Sequence, residues 1–263
     1  RGLARGHRVT PYLVLHAAMA ATLAKWSGAT DVAIGTPVAG RGAADLDDLV
    51  GVFINTVVIR TAVAPDATFT ELLTTTRDAA LGAFAHAALP FDQLVDRMGI
   101  ERTAARHPLV QNMLTLRQSH GATDDLNDLG LSTVDVVTPT TPFDLVLELI
   151  DDGSRISGVI RYGADIYTAA ETESFRSAFT RTLAAVVSTP AIPVGDIDIL
   201  GSDLRRRLLN QYGPDPLPPR TLSDLLDDAM SAHPDRTAII GTDLSAVERT
   251  YSYRRFHACA QNL

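Results

Sequence analysis

Apolar residues in this chain occur in two kinds of stretch: short runs framed by Gly and Pro, and longer runs with helical spacing. Val32-Ala33-Ile34 and Val52-Phe53-Ile54 are of the first kind and predict buried strands. Between them, Gly40-Arg41-Gly42 and Asp45-Leu46-Asp47-Asp48 predict a loop leading into a short turn. Residues 109–116 alternate only loosely and predict a further strand, and 131–137 predict an edge strand. Residues 143–150 and 155–162, joined by Asp151-Asp152-Gly153, predict a hairpin, because an Asp-Gly turn adopts the positive φ that tight strand connections need.

The longer runs predict helices. Residues 12–26 are apolar nearly all round and so predict a buried helix, opened by Thr10 as N-cap and Pro11 at the first helical position. His16 lies inside it and reads as a packed core histidine. Thr68 and Thr168 each stand three residues before a glutamate, Glu71 and Glu171, which is the capping-box spacing. Leu72, Leu73, Ala79, Ala80 and Ala83 form one apolar stripe, and Phe175, Phe179, Leu183 and Val187 another. Pro90 opens a short helix carrying Phe91, Leu94 and Val95. Residues 119–127 are polar and acidic and predict a surface loop.

From Thr189 onward prolines punctuate the chain at 190, 193, 214, 216, 218 and 219, around one short helix at 203–211. Such connectors act as semi-rigid spacers. A helix at 221–232, strands at 237–240 and 248–251 and a helix from 252 follow. These residues are too few for a core of their own and predict the first elements of a truncated second domain.

Composition narrows the function classes. The 263 residues suffice for one large domain or two lobes. Lys+Arg 23 against Asp+Glu 31 gives a net charge of −8, which argues against a nucleic-acid surface. The single cysteine, Cys259, excludes a disulfide framework within the chain and a Cys-rich zinc site. No run approaches the ~18 apolar residues of a membrane span and no signal peptide opens the chain, so the expected compartment is the cytoplasm. The chain begins and ends in mid-pattern, which predicts a piece of something longer. The chemistry-bearing residues cluster at 55–60: an amide, a hydroxyl and a guanidinium, Asn55, Thr56 and Arg60, close the second apolar run. Such groups orient a substrate or tie down neighbouring backbone, and the sequence leaves both open.

Four motifs then carry a resemblance. Residues 31–41, DVAIGTPVAGR, resemble the DVxxGxPxxGR stretch of condensation domains of non-ribosomal peptide synthetases. Residues 50–56, VGVFINT, with Arg60, are similar to the family's (I/V)GxFVNT…R. Residues 86–92, HAALPFD, are similar to HQDxPFE, with Ala87 and Ala88 in place of Gln-Asp and Asp92 in place of Glu. Residues 102–109, RTAARHPL, are similar to RDxSRNPL, with Thr103, Ala105 and His107 as departures. The order and spacing hold over about 190 residues, and the tail resembles the opening of an adenylation domain, with Thr250-Tyr251-Ser252-Tyr253 near its LTYxEL.

The resemblance implies an α/β fold, one chloramphenicol-acetyltransferase-like lobe with a mixed sheet packed by helices. It assigns 1–200 to the C-terminal lobe of a condensation domain, 201–220 to a linker and 221–263 to an adenylation-domain fragment. The family joins carrier-bound acyl thioesters and amines, largely by positioning two tethered reactants, with a histidine from an HHxxxDG motif in the N-terminal half. No two of His7, His16, His86, His107, His120, His233 and His257 are adjacent, so that motif is absent and the fragment alone is expected to be inactive. Asn55, Thr56 and Phe143 are the expected substrate-facing residues. Arg60, His86, Arg102 and His107 are expected to be structural, with Arg102 and Arg106 also weighed as contacts for an acidic carrier protein or its phosphate. No cofactor or metal is expected on the chain itself. The implied partners are the N-terminal lobe, peptidyl carrier proteins with their phosphopantetheine arms, and the adjoining adenylation domain. The alternatives are a scaffold piece without catalytic contribution, or a lobe of an epimerisation or heterocyclisation relative.

Overall fold

The computed structural model describes residues 1–40, 44–46, 48–103, 106–119, 141–210, 213, 219–242 and 247–261. It divides into two compact units, Arg1–Arg205 and Arg206–Leu263.

The first unit is built on a five-stranded sheet in the order β2-β1-β3-β4-β5. Its strands are β1 (Asp31–Ala39), β2 (Ile54–Ala62), β3 (Asn112–Gln118), β4 (Leu145–Asp151) and β5 (Ile156–Tyr162). β2 and β5 run antiparallel to their neighbours, while β1–β3 and β3–β4 are parallel, so the sheet is mixed. One face carries the helices α2 (Pro11–Ser27), α3 (Phe69–Ala85) and α5 (Ala169–Ser188); α1 (Gly2–Gly6) and α4 (Phe91–Arg97) are shorter.

α2 is central to that layer, which explains why a helix apolar on every side is stable in water. Residues from Leu13 to Thr22 are buried without a break, His16 included at 0% exposure. Val32, Ile34, Ile59, Leu114, Leu145 and Leu147 meet α2 from the sheet. Thr22 donates from its hydroxyl to the Ala18 carbonyl, at 2.8 Å, and lies 3.0 Å from the Thr182 hydroxyl, which ties α2 to α5. The capping boxes form as spaced: Thr68 with Glu71, Thr168 with Glu171, and in the second unit Thr221 with Asp224. The Asp-Gly hairpin joins β4 to β5, with Gly153 at φ +84°.

The run Val52-Phe53-Ile54 departs from its expectation. The strand starts only at Ile54, and Val52 is 92% exposed. The buried positions lie further on, at Val57, Ile59 and Thr61, because the alternation that meets α3 begins after Asn55. The strand expected at 131–137 and residues 120–127 of the expected loop lie outside the described residues.

Helix α6 (Gly201–Leu209) contains the boundary between the units, and the second unit also holds α7 (Leu222–Ala232), an antiparallel hairpin of β6 (Thr237–Thr242) and β7 (Glu248–Ser252), and α8 (Tyr253–Gln261). No residue of α7 or α8 is buried. Among the described residues no helix is long and apolar enough to cross a membrane.

Candidate functional site

Strand alternation places Asn55, Val57 and Ile59 on the helix side and Thr56, Val58 and Arg60 on the open side. Asn55 uses nearly its whole carboxamide on backbone. Its Nδ2 donates to the carbonyls of Ala87 and Leu89, both at 2.8 Å, and its Oδ1 accepts from the Phe91 N–H at 3.0 Å. The end of β2 is thereby fastened to the turn after α3 and to the first residue of α4. Of the two uses the sequence left open, tying backbone is the one the structure displays.

Phe91 extends the connection. Its ring centroid lies 5.2 Å from that of His107, and His107 lies 4.3 Å from Phe143. His107 Nδ1 sits 2.9 Å from the Pro108 carbonyl and 3.2 Å from the Val110 carbonyl. Carbonyls only accept, so Nδ1 carries the ring proton and Nε2 is left with the lone pair in the neutral imidazole. Leu109 follows at φ +65°, and the Val110 N–H closes on the Pro108 carbonyl at 2.8 Å. This three-residue turn of positive φ is rare for a side-chain-bearing residue and costs on the order of 1–3 kcal/mol. Val110, Met113, Phe143 and Val146 form a small apolar cluster on the open face. Gly35 lies under it: a Cβ there would stand 3.2 Å from Val110 Cγ2 and 3.6 Å from the Thr56 methyl.

The structure therefore brings Asn55, Thr56, His107 and Phe143 to one end of the sheet. Arg60 is not with them. It lies roughly 16 Å along β2, taking the ordinary strand rise, and pairs with Asp31 through Nε at 2.8 and 3.0 Å. That hydrogen bond holds the Asp31 carboxyl below the usual range. Arg102 reaches Asp96 at 2.8 Å and Asp92 at 3.4 Å, bracing α4 from outside. His86 caps the C-terminus of α3 through its backbone and is exposed. Sequence reasoning did not find the roles of Phe91, Gly35 and Leu109. An aromatic directly after Pro90 was the one available signal; a positive φ at a leucine leaves none.

Beside this end the sheet opens. β1 and β3 pair only at Ile34–Asn112 and Gly35–Met113, and beyond them the strands part around a cavity of about 480 Å³. Tyr12, at the start of α2, lines it. Burial pushes its phenol up to about 12, offset in part by the nearby Thr36 hydroxyl, yet no group meets hydrogen-bond geometry at the phenol oxygen among the described residues. Four residues on, both His16 nitrogens are equally unpartnered, and burial pulls that imidazole down to about 4. No three His, Cys, Asp or Glu side chains among the described residues converge as a metal site.

A family model described as the condensation domain matches residues 1–209. The chain belongs to the condensation-domain family. It is 35% identical over 269 residues to a probable non-canonical nonribosomal peptide synthetase, CymA, of Salinispora arenicola, covering 99% of this chain and 3% of that protein. It is 32% identical over 267 residues to the phosphinothricin tripeptide synthetase PhsC of Streptomyces viridochromogenes, covering 100% of this chain and 24% of that protein. Among solved structures, the X-domain from teicoplanin biosynthesis superposes with a TM-score of 0.69 at 25% identity, over 76% of this chain and 46% of the other. This condensation-family chain is thus α/β, a mixed sheet packed against helices as in its structural neighbours, and it spans a small part of the synthetases it matches.

Proposed function

We propose that residues 1–200 form the C-terminal lobe of a peptide-bond-forming condensation domain, that 201–220 link it onward, and that 221–263 open an adenylation domain. In the complete domain an amine on one carrier protein attacks the thioester carbonyl on another: the C–N bond forms, the C–S bond breaks, and the amine proton passes to the departing thiol. The reactants arrive on phosphopantetheine arms. This lobe supplies one wall of the tunnel in which they meet, and its contribution is positioning.

The observation that carries the reading is the convergence of the family-like segments on one end of the sheet, through the Asn55 carboxamide and the Phe91–His107–Phe143 stack. Thr56 and Phe143 are the substrate-facing residues; Asn55 and His107 hold the wall in shape; Arg60, Arg102 and His86 fix elements further out. The lengths support the lobe assignment, because the chain covers 46% of the solved X-domain chain. The relative that covers the whole chain, the tail included, supports the assignment of the tail. The test is amide formation by the complete synthetase module with carrier-bound donor and acceptor. Thr56→Val is expected to lower turnover at least tenfold with carrier loading unchanged; unaltered turnover overturns the substrate-facing role.

One observation favours a second reading, in which the lobe only organises its neighbours: both donors of Asn55 are spent on backbone. That reading predicts that changing the connector abolishes turnover while Thr56→Val does not.

A further inference from the structure

The ladder between β1 and β3 stops at Gly35–Met113, and the sequence of β1 says why. The Gly40 N–H donates to Phe53 on the β2 side, and the Thr30 carbonyl accepts from Val63 on that same side. Even-numbered residues of β1 thus point their backbone groups at β2 and odd-numbered ones at β3. The next odd residue after Gly35 is Pro37, which has no N–H to give. On the facing strand, the Gln111 carbonyl accepts from Leu145 and the Ser119 N–H donates to Asp151, so odd residues serve β4. Leu116 and Gln118 therefore direct their N–H and C=O groups into the opening, where no described strand meets them.

We infer that the slot between β1 and β3 binds a short extended peptide, which adds as a strand to the free edge of β3. An unpaired edge offers alternating donors and acceptors at strand spacing, a pattern that a peptide backbone satisfies and a plain hydrocarbon chain does not. The cavity of about 480 Å³ falls within the ordinary range for small-ligand sites. Its walls suit a peptide: Phe84, Val38 and Leu116 give apolar surface for side chains, and Thr36 and the unpartnered Tyr12 hydroxyl give polar partners at its floor. The lining comes from both faces of the sheet, since Thr36 and Val38 lie on the helix side and Pro37 and Thr115 on the open side. The slot adjoins the Asn55–His107–Phe143 end of the sheet, since Pro37 and Val38 pair with Thr56 and Asn55, but it is lined by other residues. It follows from backbone geometry alone and does not depend on which reaction the complete domain performs.

The test uses the chain as it stands and involves no turnover, so its failure is distinct from failure of the amide-forming reading. A fluorescein-labelled Val-Thr-Val-Thr-Val amide is titrated by anisotropy, beside the same peptide N-methylated at alternate residues and a fluorescein-labelled decanoyl amide. The expected result is saturable binding of the first probe, at least tenfold weaker binding of the other two, and slowed hydrogen exchange at the Leu116 and Gln118 amides when the first is bound. Val38→Trp, which fills the slot, is expected to weaken the first probe at least tenfold; should that variant not fold, the exchange measurement on the parent chain decides. No binding by the folded chain, equal binding of the N-methylated peptide, tighter binding of the decanoyl probe, or unchanged exchange at Leu116 and Gln118 each overturns the inference.

Discussion

At the scale of single residues, the informative side chains are those whose hydrogen-bonding capacity is either spent or idle. Asn55 is spent: Asn55→Ala leaves the Phe91 N–H and the carbonyls of Ala87 and Leu89 without a partner. Part-buried groups left in that state cost about 1–3 kcal/mol. Urea unfolding of Asn55→Ala is expected to show that loss, and Asn55→Asp a larger one, since a carboxylate faces two carbonyls with nothing to donate. A midpoint unchanged in both variants would remove the clasp from the account. His16 is idle. Burial lowers its imidazole from 6.5 to about 4, so the unfolded chain takes up a proton between those values while the folded chain does not. Its contribution is complete above pH 6.5 and is lost as pH falls toward 4, by about 3 kcal/mol at the lower end. His16→Leu, close in volume and with no nitrogen to desolvate, is expected to flatten that acid limb in a series of melting curves. An identical pH slope in the variant would show that another group carries it.

At the scale of elements, local chemistry was legible and long-range register was not. Thr10, Thr68 and Thr168 announced their helices because a cap is written within four residues. The hairpin was equally plain, since Asp152 and Gly153 build the turn from their own backbone and side chains. The strand start at Ile54 is not legible locally, because Val52 and Val57 are the same residue type and only packing against the distant α3 makes one exposed and the other buried. For the site, Asn55 and Phe143 were visible as motif members. Their connection through Phe91 and His107 was not, because Asn55's partners lie 32 to 36 residues away. Two substitutions separate local from tertiary causes. Thr168→Ala removes a cap and is expected to cost about 1 kcal/mol. Gly158→Ala is expected to cost more, about 1–3 kcal/mol, because its Cβ would stand 2.9 Å from Leu149 Cα and closer still to the Glu148 carbonyl on the paired strand. Chemical denaturation of the two variants gives the order, and the reverse order would show that β5 shifts to accommodate a methyl group.

At the scale of the whole molecule, one run of exposed apolar residues lies on the approach to β2. Leu49, Val50, Val52 and Ile54 are all at least half exposed on the approach to β2. Exposed apolar residues so close together in the chain favour association. Sedimentation velocity is expected to show concentration-dependent self-association that a Val50→Ser/Val52→Ser pair reduces; equal association in both would place the sticky surface elsewhere. The sheet itself carries a further consequence. Of the bonds that would carry the β1–β3 ladder past Gly35, the first is lost for want of a hydrogen on one nitrogen, that of residue 37. Any ordinary amino acid there restores the donor that faces the Leu114 carbonyl, so a single codon sets whether the ladder can continue at that step. Pro37→Val is accordingly expected to lengthen the ladder: slowed hydrogen exchange at Leu116 in the unliganded variant would read a closed seam, and unchanged exchange would show that more than the imino ring holds the strands apart.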